Sequence, residues 1–145
     1  MIWLWRRIPH PEKPASNGVP EIDFGIETEE CLVLGEAKWN SRLGVGQGVA
    51  RDRNQLDLRV AYCSDLGRRV LRSVRHWIVL GVGREANVLP EGQNTAGVRM
   101  CNLTWNELVR HVPAEYRELL RAYLAWKEKH SQLPAGARRV APAGA

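Results

Sequence analysis

The chain has 145 residues, of which 44% are hydrophobic and 26% are charged, and its formal net charge is +5. This length suits one domain with a single hydrophobic core, and the composition is that of an ordinary water-soluble globular protein. No apolar run approaches the ~18 residues of a membrane span, and the opening MIWLWRR has neither the length nor the charge order of a signal peptide. We therefore expect a cytoplasmic protein with no membrane partner.

The cysteines and the charges narrow the class of protein further. Cys31, Cys63 and Cys101 are widely spaced and odd in number, which fits neither a zinc site nor a disulfide framework, so each is expected to be a small buried hydrophobe. Residues 21–38 carry a local charge of −5, and residues 42–75 carry +5. An acidic pocket beside a basic stretch suits a metal cation near a phosphate backbone, although solvated surface charge gives the same pattern.

The first half of the chain predicts strands and loops. Bulky residues at 2–8 predict a first strand, and a loop rich in Pro, Ser, Asn and Gly follows at 9–18. Two further strands are predicted at 21–27 and 31–38. The glycine-rich segment 43–48 lacks the Lys-Ser/Thr end of a P-loop, so it predicts a mobile surface loop.

The pattern becomes helical from Arg51, where apolar residues at i, i+4 and i+7 from Leu56 predict a buried stripe and Gly67 predicts the stop. Residues 76–82 are apolar on both faces, which predicts a strand inside the sheet. Residues 98–103 predict another extended segment.

Two helices are predicted near the end of the chain. Thr104 and Glu107 match a capping box that opens a short helix to His111. Pro113 begins a longer helix to about His130. The apolar face expected on this longer helix consists of Tyr116, Leu119, Leu120, Tyr123 and Leu124.

The order of these elements is strand, strand, strand, helix, strand, helix, with mixed connections. It predicts an α/β (α+β) fold in which a mixed β-sheet is flanked by helices in a single domain. We expect that domain to span residues 1–130 and residues 131–145 to form a disordered tail.

The hairpin at 21–38 carries charge where a core would favour apolar residues. Glu36 and Lys38 project to the same face because residues two apart in a strand do so. A turn at residues 28–29 makes the numbers of facing residues sum to 57 and sets Asp23 diagonal to Glu36. A turn at residues 29–30 gives a sum of 59 and sets the two acids directly opposite, whereas an even sum puts them on opposite faces.

Two carboxylates on one face repel each other unless a cation neutralises them, and Mg²⁺ prefers oxygen ligands. Lys38 would then position or deprotonate a metal-bound water, or stabilise charge that builds on a phosphate. The alternative is a solvent-facing hairpin in which Glu36 and Lys38 form a weak pair.

The segments PEIDFGIET, CLVLGEAKW and RNQLDLRVAY, placed on strand, strand and helix ahead of a further strand, resemble the PD-(D/E)XK, or restriction-endonuclease-like, nuclease superfamily. The resemblance covers about residues 20–82 and implies a restriction-endonuclease-like core. It implies that Asp23, Glu36 and the backbone carbonyl of Ala37 bind a metal, Mg²⁺ or Mn²⁺, and that Lys38 is the catalytic lysine.

Further positions match the family less closely. Gln55 resembles a glutamine that some branches place near the active site, where it orients the lysine or the water; an exposed helical glutamine is the alternative. The Pro-Asp dipeptide itself is absent, because Pro20 precedes Glu21. Many members also have a helix before the first strand, which the residues preceding the hairpin do not predict, so the chain is expected to be a trimmed domain, to form a homodimer or to need a partner protein.

The leading hypothesis is a Mg²⁺-dependent deoxyribonuclease, an endonuclease that hydrolyses DNA phosphodiester bonds. Candidates for contacts with the DNA backbone are Arg42, Arg51, Arg53 and Arg59. A non-catalytic nucleic-acid-binding or assembly module on the same fold is the second hypothesis, and an unrelated small α/β interaction domain is the third.

Overall fold

The structure, a computed structural model, describes residues 1–8, 21–40, 55–90 and 94–131. The strands are β1 (Ile2–Arg7), β2 (Glu21–Glu27), β3 (Cys31–Ala37), β4 (His76–Gly83), β5 (Asn94–Thr95) and β6 (Val98–Thr104). The helices are α1 (Gln55–Ala61), a π-helical turn (Tyr62–Gly67), α2 (Arg68–Val70), α3 (Trp105–His111) and α4 (Ala114–His130). The predicted loops at 9–18 and 43–48 and the predicted tail, apart from its first residue, lie outside the described residues.

The six strands form one sheet in the order β1-β2-β3-β4-β6-β5. Strands β1, β2 and β3 pair antiparallel, β3, β4 and β6 pair parallel, and β5 pairs antiparallel with β6. This mixed sheet with helices confirms the predicted α/β (α+β) class, and β4 lies inside the sheet as its two apolar faces predicted. No helix in the described part of the chain is long and apolar enough to cross a membrane.

The hairpin of β2 and β3 has the odd register that brings its two acids together. The Thr28 N–H donates to the Cys31 carbonyl at 2.9 Å, so the turn lies at residues 29–30. Phe24 pairs with Gly35, which makes the sum 59. A Cβ on Gly35 would lie 2.1 Å from the ring of Phe24, so only glycine lets this ring cross β3.

The hydrophobic core lies between α1 and the middle of the sheet. Leu34 and Val79 are fully buried neighbours on β3 and β4, and Leu56 and Cys63 pack against the same cluster. The predicted stripe from Leu56 is therefore confirmed. Burial raises the pKa of the Cys63 thiol to about 12; of the three free cysteines only this one is fully buried, since the other two are half-buried.

The prediction that the helix stops at Gly67 is wrong. The chain continues in helical conformation to Val70, and Gly67 itself has φ −59° and ψ −45°. A Cβ at this position would lie 2.8 Å from Cζ3 of Trp77. Gly67 is therefore required for close packing of the helix against β4 and not for a left-handed cap.

The capping box of α3 is formed as predicted. The Glu107 N–H donates to Thr104 Oγ1 at 3.1 Å, and the Thr104 N–H donates to Glu107 Oε2 at 2.7 Å. We expect Thr104→Ala to lower the free energy of unfolding by about 1 kcal/mol, measured by urea denaturation at pH 7. Thr104→Ser keeps the acceptor oxygen and serves as the control; an equal loss in both variants would contradict the capping role.

The same box makes stability depend on pH. The Thr104 backbone N–H, the largest contribution, lowers the pKa of Glu107. Because the folded pKa lies below the unfolded value of about 4.3, the stabilisation is complete above that value and is lost as the pH falls through the folded pKa.

Helix α4 leaves much of its apolar face exposed. Tyr116, Leu119, Tyr123 and Trp126 are between 50% and 69% exposed, and no residue of α4 is fully buried. An ion pair between Arg84 and Glu128 ties the helix to the residues after β4. The apolar periodicity thus identified the helix correctly, but most of the face that it marked does not belong to the core of the described part.

Candidate functional site

The site lies where β2 and β3 stop pairing with each other. Regular pairing runs as far as Phe24 and Gly35, and the next position along places Asp23 opposite Glu36. There the backbone N–H of Ala37 donates to Asp23 Oδ2 at 2.7 Å. A side-chain carboxylate thus binds the end of β3, and this bond fixes Asp23 beside the second acid.

Glu36 is a buried carboxylate held between two cations. Its side chain is only 1% exposed, and it forms ion pairs with Lys38 through Oε1 and with Arg59 through Oε2. The Lys38 side chain is 17% exposed, so it connects the buried acid with the surface. A carboxylate this deep requires such partners, because burial of an uncompensated charge costs several kcal/mol.

Arg59 is the deepest cation of the site, with an exposed side-chain fraction of 1%. Besides binding Glu36, it donates to the Glu21 carbonyl at 3.0 Å and to the Gln55 carbonyl at 2.7 Å. Burial lowers the pKa of Arg59, while the charges of Glu36 and Asp23 act in the opposite direction. Both acids are therefore close to one guanidinium, and two acids with two bases make a cluster that is neutral as a whole.

Comparisons with protein-family models, with curated proteins and with solved structures found no match. The chemistry of the site therefore rests on its own residues. Among the described residues no group of three or more His, Cys, Asp or Glu side chains is gathered in a metal-binding arrangement.

The backbone of Lys38 is held on both sides. Its N–H donates to the Val82 carbonyl at 2.8 Å, and its carbonyl accepts a bond from Trp105 Nε1 at 3.1 Å. These bonds fix the start of the lysine side chain to β4 and to the first residue of α3. The position of Lys38 is thus set by the sheet and does not depend on its own ion pair.

An open cleft of about 410 Å³ lies between the residues that follow β3 and β4 and the helices α3 and α4. Trp39 and Trp105 line it, together with two arginines and two glutamates: Arg84, Arg121, Glu85 and Glu128. Indole rings and guanidinium groups are the side chains on which nucleic-acid bases stack and to which phosphates bind. The two glutamates balance the two arginines, and Arg84 pairs with Glu128, so the charge of the lining does not by itself favour a polyanion.

The structure brings together Asp23, Glu36, Ala37 and Lys38. Gln55, the first residue of α1, lies beside them, because its backbone carbonyl accepts a hydrogen bond from Arg59. Three of the arginines expected to contact DNA lie outside the described residues: Arg42, Arg51 and Arg53.

The expected surface role of Arg59 needs correction. A side chain that is 1% exposed and bound to Glu36 is not presented to a phosphate backbone in this structure. Arg59 lies at i+3 from Leu56, on the edge of the buried stripe, and that spacing was the signal that the side chain turns inward.

Proposed function

We propose that this protein is a Mg²⁺-dependent nuclease that hydrolyses phosphodiester bonds in DNA. The observation that carries the proposal is the odd register of β2 and β3, which sets Asp23 opposite Glu36 with Lys38 paired to Glu36. Acids facing each other across two strands, with a lysine two residues further along, suit a metal ion next to a phosphate.

The donors of the site fit a hard cation. Glu36 Oε1 is buried and contacts the Lys38 ammonium, so a cation bound by this oxygen would share it with Lys38. Asp23, Glu36 and the carbonyl of Ala37 would hold the ion. When bound, Mg²⁺ would lower the pKa of a water and polarise the phosphate.

The protein side chains divide the remaining work. Arg59 forms a fully buried ion pair with Glu36. This contact would fix the position of the Glu36 carboxylate relative to Lys38. Lys38, paired to Glu36 and partly exposed, would position the attacking water or stabilise charge on the phosphate. Gln55 would help order the site from the start of α1.

The connections of the sheet agree with the resemblance to restriction-endonuclease-like nucleases. An acid-bearing strand, β2, pairs antiparallel with β3, and β3 is followed by α1 and by the parallel strand β4. That is the order of strand, strand, helix and strand on which the motifs of the resemblance were placed. It supports a restriction-endonuclease-like core as part of the proposal.

Metal binding should depend on Asp23. We expect Mg²⁺ or Mn²⁺ to raise the melting temperature of the wild-type protein, because a ligand that binds only the folded state stabilises it. Asp23→Asn should reduce this rise, whereas Asp65→Asn, a change at an exposed ion pair with Arg69, should keep it. An identical rise in all three proteins, or DNA cleavage that persists in EDTA, would contradict the proposal.

One observation favours a second candidate, a non-catalytic nucleic-acid-binding module. Lys38 and Arg59 already neutralise Glu36, so the cluster is balanced by residues of the chain itself. A module of this kind would bind DNA with strong salt dependence and would not cleave it with any divalent metal. Binding without cleavage, together with an unchanged melting temperature in Mg²⁺, would favour this candidate.

A further inference from the structure

The outer face of α4 carries a continuous stripe of apolar and aromatic side chains with the spacing of a coiled coil. Tyr116, Leu119, Tyr123, Trp126 and His130 follow one another at intervals of three and four residues. Tyr123 stacks on Trp126 at 6.2 Å between ring centroids, and Trp126 stacks on His130 at 4.8 Å. Alternating spacings of three and four residues mark the seam along which two helices pack.

This stripe faces away from the body of the protein. Its first four side chains are half exposed or more, whereas Leu120 and Leu124, which lie around the helix from the stripe, are half-buried. Four large exposed side chains in one row exceed the scattered apolar residues of an ordinary surface, and such a row marks an interaction site.

The charges beside the stripe indicate which partner fits. Glu115, Ala122 and Lys129 recur every seven residues along one edge of the stripe. Within the described part of the chain neither Glu115 nor Lys129 takes part in an ion pair. This edge has an acid at one end, a small residue in the middle and a base at the other end. When a second copy of the helix runs antiparallel, the acid of each copy meets the base of the other.

We propose that α4 is the interface of a homodimer, in which a second copy of this chain packs its α4 antiparallel on the first. A two-fold axis between residues 121 and 122 brings Glu115 of each copy beside Lys129 of the other. The same register stacks Tyr116 on Trp126 and Leu119 on Tyr123 of the second copy. A parallel pair would instead gather both Glu115 side chains at one end and both Lys129 side chains at the other.

The oligomeric state of the full chain tests this interface. A single pair of helices with four turns each is a small interface, so we expect a monomer–dimer equilibrium that depends on concentration up to roughly 100 μM in sedimentation velocity. Leu119→Glu should weaken the dimer by ~10-fold or more, because it places an unpaired charge in the seam. Val70→Glu, at another exposed apolar residue, is the matched control and should leave the equilibrium unchanged.

Charge reversal tests the antiparallel arrangement. Glu115→Lys and Lys129→Glu should each weaken the dimer, since each puts like charges together, and the double variant should restore it. A protein that stays monomeric over the whole concentration range would overturn the proposal, as would a dimer that Leu119→Glu leaves intact. Failure of the double variant to recover would overturn the antiparallel register.

Discussion

Replacement of Lys38 by alanine is expected to abolish Mg²⁺-dependent cleavage of DNA, with a loss of at least ~10²-fold in rate. The side chain contacts Glu36, while the backbone bonds to Val82 and Trp105 do not need it. The variant should therefore fold, and nicking of supercoiled plasmid in Mg²⁺ or Mn²⁺ measures its remaining activity.

Two further measurements separate chemistry from binding and from stability. Lys38→Ala should keep the rise in melting temperature that Mg²⁺ produces, because the carboxylates of Asp23 and Glu36 remain. Arg72→Ala removes an exposed cation near the opposite end of the sheet, before β4 begins, and should cleave at the wild-type rate. Undiminished cleavage by Lys38→Ala would show that the proposed role of this lysine is wrong.

Replacement of Arg59 by leucine should cause the largest loss of stability, roughly 3–5 kcal/mol in the free energy of unfolding. Glu36 would keep its buried position but lose the partner that its depth requires, and two backbone carbonyls would lose a donor. Urea unfolding at pH 7, followed by tryptophan fluorescence, measures the change.

A second substitution distinguishes a buried ion pair from a packing defect. Removal of both charges, in Arg59→Leu with Glu36→Leu, should recover part of the loss, because neither fully buried charge then remains without its partner. The exposed pair of Arg69 and Asp65 is the control, and Arg69→Leu should cost about 0.5 kcal/mol or less. A loss for Arg59→Leu no larger than for Arg69→Leu would contradict the structural importance of this pair.

The two predictions concern two cations on one carboxylate. Lys38 is partly exposed and is expected to act on the substrate, whereas Arg59 is enclosed and is expected to stabilise the folded protein. If both predictions are confirmed, Glu36 has two functions: its buried ion pair with Arg59 stabilises the fold, and its carboxylate takes part in the site together with Lys38.

Local signals in the sequence predicted most of the elements. Alternation and apolar runs identified the hairpin and β4, and the spacing of Thr104 and Glu107 identified the start of α3. The two-residue strand β5 was not predicted, since two residues show no periodicity. The predicted helix end at Gly67 was wrong because the sequence does not distinguish a glycine that packs against Trp77 from a glycine that ends a helix.

The sequence by itself determined which residues could form the site: two acids and a lysine on one hairpin, at spacings that place them on a common face only in an odd register. The tertiary structure decided that register, because Phe24 crosses Gly35 and the turn closes at residues 29–30. It also decided that Arg59 turns inward to Glu36 and that the apolar face of α4 turns outward. The periodicity of a sequence shows that one face of a helix is apolar and that a charged residue borders it. Only the packing of the folded chain determines what covers that face and which charged residues form ion pairs.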